Sequence, residues 1–237
     1  MKLPSVTVWR APWRRRSWLG CAWQEGLMVG VQLQALPGAR GAGWQVKQMH
    51  VCAHLWGPQE LAQAKVVGLP WARLKEGLAL DGASVSLACP AAWVASGEHV
   101  PQDRSKTRAV LTDIQLQAAQ SVGEEWDAVS FDAHPDEEGR WHWWATSQNW
   151  LQALRLDLEP VDWRLQVVAP YDKAVHRALT RLQGGEKSLQ AQPPQDWRFA
   201  TEPLHEAQLL KDWVERWSFT SEGLRLAACG MVLMGKA

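Results

Sequence analysis

Apolar and polar residues alternate along the first part of the chain, with a period that is typical of strands. The alternation predicts three antiparallel strands, over residues 18–24, 27–33 and 44–55. Glu25 and Gly26 predict a tight turn between the first two. Residues 58–80 have one apolar helical face interrupted by Pro70, which predicts one broken helix or two short ones. The short apolar run 85–88 predicts a central parallel strand.

The pattern further along predicts a small inserted unit, followed by strand and helix repeats. The unit comprises a helix over 108–122 and a hairpin whose strands cover 126–131 and 140–145. Ser147 is expected to cap a further helix, residues 163–168 to form a strand, and Pro170 to begin another helix. We therefore divide the chain into a flexible basic arm (1–16), a first core part (17–92), an inserted αββ subdomain (97–146), a second core part (147–183), a linker (184–203) and C-terminal helices (204–237).

Charge, hydropathy and cysteine content limit the classes of function. Lysine plus arginine and aspartate plus glutamate number 25 each, so no global positive charge favours nucleic-acid coating. The longest apolar stretch, 224–234, contains Arg225 and is much shorter than the roughly 20 residues of a spanning helix. The four cysteines lie far apart in apolar surroundings, which is typical of reduced, buried thiols. We therefore expect a cytoplasmic protein.

Tryptophan is unusually abundant, with 17 residues beside one tyrosine and three phenylalanines. Several tryptophans stand where a strand or helix requires an inward apolar residue, and these are Trp44, Trp144, Trp163 and Trp213. Most are expected in the core. The alternative is that some form the wall of a partner-binding groove, because tryptophan is enriched among the residues that dominate binding energy.

Two clusters of metal-binding residue types are weighed against ordinary structural roles. His50, Cys52 and His54 alternate on one strand, but no fourth ligand with suitable spacing accompanies them. A group of acidic residues surrounds the predicted hairpin turn, where charged side chains are normally solvated: Asp132, Asp136, Glu137 and Glu138. We predict no metal site, and no nucleophile or phosphate-loop motif is present.

Several segments together resemble one family. They are LGCAWQEGLMVGVQL at 19–33, VSLACPAAWV at 85–94, WDAVSFDA at 126–133, the strand and helix succession 144–179, and LRLAACGMVLMG at 224–235. In this order they resemble the PilM-type actin-like proteins of type IV pilus and competence machinery, including the short forms called ComA or HofM. The resemblance implies an α/β fold: a truncated actin-like, ribonuclease-H-like core with a small inserted α+β subdomain.

Two departures from the family bear on nucleotide binding. Its full-length members carry a second lobe, which supplies half of the nucleotide cleft, and here only 184–203 stands in its place. In the first hairpin, Ala22 and Gln24 occupy the positions of the family's aspartate and of the glycine after it. An actin-type site uses the acid for Mg²⁺ and the glycine turn for phosphate. The resemblance therefore implies no catalytic residue and no cofactor.

The function implied by the resemblance is that of a non-enzymatic adaptor. It would bind the cytoplasmic N-terminal tail of a PilN-like inner-membrane protein in a groove between core and insert, and so sit at the inner membrane through this partner. Trp93, Ile114 and Trp144 are the expected groove residues, because they flank the crossings between the two parts. Two alternatives remain: a nucleotide-binding remnant of an actin-like ATPase, and a single-stranded-DNA binder that uses Trp and Arg.

Overall fold

The computed structural model describes residues 17–24, 26–36, 43–53, 69–90, 93–101, 107–204 and 220–235. Within these ranges the chain forms nine strands and six α-helices. The strands are β1 (Ser17–Gln24), β2 (Leu27–Ala35), β3 (Trp44–Ala53), β4 (Ala83–Cys89), β5 (Ala95–His99), β6 (Val129–Pro135), β7 (Trp141–Ser147), β8 (Arg164–Pro170) and β9 (Arg198–Phe199). The helices are α1 (Trp71–Leu78), α2 (Thr107–Val122), α3 (Gln148–Leu158), α4 (Tyr171–Arg181), α5 (Glu186–Ala191) and α6 (Ser221–Gly235).

A six-stranded mixed sheet, in the order β8-β4-β1-β2-β3-β9, forms the centre of the core. The predicted meander is confirmed, because β1 pairs antiparallel with β2 and β2 with β3. The predicted central strand is also confirmed: β4 lies parallel between β1 and β8, and all seven of its residues are buried. Since β1, β4 and β8 run in the same direction, their carboxyl ends meet at one edge of the sheet.

Helices cover both faces of this sheet and separate the core into two apolar layers. Alternate residues of β1 divide between them, with Ala22 in one layer and Leu19, Cys21 and Trp23 in the other. The first layer contains residues of α4 and α6, and the second contains residues of α1 and α3. Ser147 caps α3 as predicted, since its Oγ accepts a hydrogen bond from the main-chain N–H of Trp150 at 3.5 Å.

Glycines allow α6 to approach its neighbours at main-chain distance. A Cβ at Gly20 of β1 would overlap the carbonyl oxygen of Ala228 in α6, and a Cβ at Gly230 would overlap that of Ala174 in α4. The buried terminal helix expected from the sequence is thus confirmed. It lies between the sheet and α4, where no larger residue fits at these two positions.

The inserted unit is a separate small layer structure. Its sheet has the order β5-β7-β6, and α2 packs on one face through Val110, Ile114 and Ala118. The predicted helix and hairpin are therefore present, together with one more strand, β5, that the sequence pattern did not predict. Gly97 of β5 has no side chain and leaves room for the indole of Trp143 on β7.

Residues 184–203 do not form an open linker, which corrects the expectation from their Gln, Pro and Gly content. They contain α5 and β9, and β9 pairs with β3 at the sheet edge. Trp197 and Phe199 are fully buried in the first core layer. These two aromatic residues hold the segment on the core, although the polar residues around them resemble those of a linker.

Some expectations fall outside the described ranges: the arm 1–16, residues 54–68, and residues 205–219 of the region expected to form C-terminal helices. In the region 58–80, only α1 is described as a helix. Among the described helices, none is long and apolar enough to cross a membrane.

Candidate partner-binding cleft

A cleft of about 300 Å³ separates the insert from the core. The insert side is formed by β6 and β7, with Phe131, Asp132 and Trp144 among its residues. The core side is formed by α3 and β8, with Leu151, Arg155 and residues 165–168. Apolar and polar side chains are mixed along both sides, as they are in many peptide and ligand grooves.

In the part of the chain that the structure describes, the core side of the cleft includes a sheet edge without a strand partner. Four successive residues of β8, from Leu165 to Val168, line the cleft. Successive side chains of a strand point to opposite faces, so some of these four residues line the cleft with main-chain atoms. β8 is the outermost strand of the six-stranded sheet, and its main chain therefore faces the cleft.

A second cavity of about 450 Å³ continues the cleft toward the start of β8. The two cavities share Arg155, Leu165 and Gln166, so together they follow β8 over most of its length. The lining here is charged, with two arginines and two acids: Arg155, Arg164, Glu159 and Asp162. The combined groove has a mixed apolar and polar lining at one end and carries both signs of charge at the other.

Trp144 stands at the centre of the insert's inner face, as expected for a groove residue. It lines the main cleft and also a smaller cavity of about 180 Å³ that Glu98, His142 and Lys173 border. The Lys173 ammonium lies 5.7 Å from the centre of the Trp144 ring, and the ring of His134 lies 4.8 Å from it. The Trp144 indole thus lies between the main cleft and the smaller cavity.

Trp93 is placed at the crossing between core and insert, next to the cleft. Its ring packs against Trp23 at 5.8 Å and Trp150 at 5.1 Å between ring centres. Its carbonyl oxygen accepts a 2.6 Å hydrogen bond from the Thr146 hydroxyl. Trp93 therefore fixes the crossing, and the next residue, Val94, lines the cleft.

The expected position of Ile114 was wrong. Its side chain is fully buried in the insert's own core, between α2 and the three-stranded sheet. The helical spacing of Val110, Ile114 and Ala118 already indicated one inward face, but it does not specify which sheet that face covers. Of the three expected groove residues, Trp144 lines the cleft and Trp93 lies beside it.

Sequence reasoning missed Phe131, Arg155 and the free edge of β8. β8 was correctly predicted as a strand, yet its place at the edge of the sheet depends on strand order. Several residues of β8 are partly exposed, whereas all residues of β4 are buried. This difference distinguishes the edge strand from the central strand, but it depends on the folded structure and cannot be read from the sequence alone.

Ala22 and Gln24, where the resemblance places a degenerate phosphate turn, lie in and beside the apolar core. Ala22 is fully buried and pairs with Ala88, which pairs with Ala169, so three alanines cross the parallel strands near their carboxyl ends. An alanine methyl group offers no oxygen to a metal ion. Gln24 pairs with Leu27 at the end of the hairpin.

Among the described residues, no group of three metal-binding side chains comes together. Cys52 is buried, the His50 ring packs at Gly77, and His54 lies outside the described ranges. All four cysteines are free and buried. Burial raises the pKa of the thiols of Cys21, Cys89 and Cys229, which keeps them protonated and unreactive.

Asp136 organises the acidic turn of the hairpin. Its carboxylate accepts hydrogen bonds from the Arg140 guanidinium at 2.9 Å and from the main-chain N–H groups of Glu138 and Arg140. Desolvation raises the pKa of Asp136, but the bonds from Arg140 and His142 outweigh it and lower the pKa to about 2. The carboxylate therefore has a structural role in closing the turn.

No protein-family model and no curated protein sequence is significantly similar to the chain. Its fold is nevertheless similar to solved structures. One, a PilM-PilN type IV pilus biogenesis complex, matches with a TM-score of 0.50 and 15% identity, over 71% of this chain and 54% of that chain. Another, the cytoplasmic domain of EpsL from the type II secretion system of Vibrio cholerae, has a TM-score of 0.44 and 15% identity, over 67% and 58%.

The first similarity shows the fold, and it confirms the fold expected from the resemblance. The protein has an α/β architecture with a truncated actin-like, ribonuclease-H-like core and a small inserted α+β subdomain. The chain spans about half the length of the PilM-PilN complex chain that it matches.

Proposed function

We propose that the protein is a non-enzymatic adaptor of a type IV pilus or DNA-uptake machine. It binds the cytoplasmic N-terminal tail of a PilN-like inner-membrane protein and is held at the inner membrane by it. The observation that carries this proposal is the cleft between insert and core, one side of which is a free strand edge. The similarity of the fold to a structure of a PilM-PilN type IV pilus biogenesis complex supports the choice of partner.

The lining of the cleft fits an extended peptide. The β8 edge offers main-chain N–H and C=O groups for strand addition, which gives affinity with little dependence on sequence. Trp144 and Leu151 offer apolar contacts for side chains of the peptide, and these set its position. The part of the tail that extends beyond the cleft lies in the second, charged cavity near Arg155 and Glu159, which is open to water.

Replacing Trp144 by alanine is expected to weaken binding of the partner tail at least about 30-fold, the effect of an interface residue worth roughly 2 kcal/mol. The probe is a synthetic peptide of the cytoplasmic N-terminal tail of a PilN-like bitopic membrane protein from the same organism, titrated by calorimetry. Trp126→Ala is the matched control, because Trp126 is 59% exposed on the insert and does not line the cleft.

The result of this comparison separates the function from the site. Loss of binding in Trp144→Ala, with Trp126→Ala unchanged and both proteins folded by circular dichroism, supports the cleft as the binding site. Equal binding by both variants contradicts this site assignment. A wild-type protein that ignores the peptide contradicts the adaptor function itself.

Mg-ATP is expected not to bind, because Ala22, Ala88 and Ala169 occupy the strand ends where oxygen ligands are needed. Calorimetric titration with Mg-ATP should give no binding heat, while the partner peptide serves as the positive control on the same sample. A dissociation constant in the low micromolar range would instead favour the nucleotide-binding alternative.

A further inference from the structure

The exposed face of α4 is almost entirely basic. The side chains of this helix that reach solvent are Asp172, Lys173, His176, Arg177 and Arg181, and the others are buried. Lys173, Arg177 and Arg181 are spaced four residues apart, so they form one row along the helix. This basic row extends over about 12 Å, because each helical residue adds about 1.5 Å.

The two arginines of the basic row have no counter-ion. Within the described part of the chain, neither Arg177 nor Arg181 forms an ion pair, and the Nε atom of each is buried without a hydrogen-bond partner. Burial, and after it the charge of Arg181, lowers the pKa of Arg177, and Glu202 opposes this in part. Like charges four residues apart on a helix repel each other. The basic row therefore lacks the anion that would balance such a pair.

The other two basic residues of α4 differ in their surroundings. Burial, and after it the charge of Lys173, lowers the pKa of His176, so this ring is neutral at neutral pH. The ammonium of Lys173 lies 5.7 Å from the centre of the Trp144 ring. The basic row thus carries three positive charges, and its first residue contacts the insert.

The position of the basic row next to the cleft indicates which anion it meets. Lys173 borders the cavity of about 180 Å³ that shares Trp144 with the main cleft. A partner tail in this cleft continues into a membrane span, so the protein surface beside the cleft lies close to the bilayer. The cytoplasmic leaflet carries anionic lipids, which attract Lys and Arg side chains near the surface.

We infer that the basic row of α4 binds the phosphate groups of anionic lipids at the inner membrane while the partner tail occupies the cleft. This inference rests on the proposed function and adds a direct lipid contact to it. Single-stranded nucleic acid fits the row less well, because its binding sites are grooves with aromatic residues, and α4 exposes no aromatic side chain. The buried Nε atoms hold the guanidinium groups in place, so the arginines lose little freedom on binding.

Co-sedimentation with lipid vesicles measures this contact in the absence of the partner. The probes are vesicles of pure phosphatidylcholine and vesicles that contain about 30% phosphatidylglycerol, at millimolar lipid and about 0.1 M salt. We expect binding to the anionic vesicles only, and raising the salt to about 0.5 M should abolish it. Absence of binding to the anionic vesicles, or equal binding to both kinds, would overturn the inference.

A double variant tests the assignment to α4. Arg177→Gln with Arg181→Gln should weaken partitioning into anionic vesicles about 30-fold, which corresponds to about 1 kcal/mol for each arginine. Its melting temperature should not fall, because neither arginine has an ion pair to lose. The matched control is Arg73→Gln with Arg108→Gln, which removes two exposed charges from α1 and α2 and should bind as the wild type does. Equal weakening in both double variants contradicts the assignment.

Further measurements separate lipid from other anions. Arg177→Lys with Arg181→Lys keeps both charges and should retain vesicle binding, whereas a site for one discrete phosphate needs the arginine fork. Binding of inorganic phosphate or of a thymidine oligonucleotide, without binding of vesicles, overturns the lipid contact.

The vesicle and peptide measurements also distinguish this inference from the proposed function. A protein that binds the tail peptide but no anionic vesicles keeps the adaptor function and overturns the lipid contact. A protein that binds anionic vesicles through Arg177 and Arg181 but ignores the peptide contradicts the adaptor function, and the basic row is then a membrane contact by itself.

Discussion

Deleting residues 221–237 is expected to abolish folding. This deletion removes α6, whose buried residues form much of the first core layer: Leu224, Leu226, Ala227, Ala228, Cys229, Met231, Val232 and Leu233. Each large apolar side chain contributes roughly 1.5 to 3 kcal/mol through burial, against a total stability of about 5 to 15 kcal/mol. The summed loss is comparable to the whole stability of an ordinary domain, and the deletion also exposes the face of the sheet around Gly20.

The truncated protein should lack a cooperative thermal transition by circular dichroism and should accumulate in aggregates. Deletion of residues 236–237 alone is the control, because α6 ends at Gly235 and stays intact. A truncated chain that stays in solution with an unchanged melting temperature would show that α6 is not part of the folding core.

Gly230→Ala is expected to destabilise the protein by about 3 kcal/mol or more. In most helix interiors this change stabilises by up to about 1 kcal/mol, because alanine has the higher helix propensity. Here the added methyl group overlaps the carbonyl oxygen of Ala174, which belongs to the backbone of α4 and cannot rotate away. The two helices must separate, and overpacking of this kind costs typically 1 to 3 kcal/mol, and sometimes more.

Urea unfolding followed by circular dichroism measures this effect, with Gly123→Ala as the matched control. The control adds the same methyl group where no atom lies within 4 Å, although the positive φ of 76° at Gly123 makes alanine strained. The control should therefore lose only about 1 to 2 kcal/mol. If Gly230→Ala proves as stable as the wild type, α6 and α4 are not in main-chain contact.

Elements with a clear period were predictable from the sequence. The alternation in β1, β2 and β3, the apolar run in β4 and the apolar surface of α6 each depend on neighbouring residues only, and each matches the structure. The segment 184–203 was interpreted wrongly as a linker because most of its residues are polar. Its average composition therefore hides the two aromatic residues, Trp197 and Phe199, that are buried in the core. Burial of a single residue depends on distant parts of the chain.

The cleft was only partly predictable for the same reason. Crossings between core and insert were visible as changes in pattern, and this led to Trp93 and Trp144. The position of Ile114 required knowledge of which sheet α2 covers, and the role of β8 required the strand order. Both are properties of the assembled sheets, which no local pattern records.

The two connections of the insert to the core lie side by side. Ala95, at the entry, pairs with Ala145, near the exit, so the chain leaves and returns at positions about 5 Å apart. A tight turn can span that gap, and a different subdomain can be grafted onto the same two strands. Evolution can therefore exchange the module that forms half of the cleft, and with it the choice of ligand, while the six-stranded scaffold keeps its sequence.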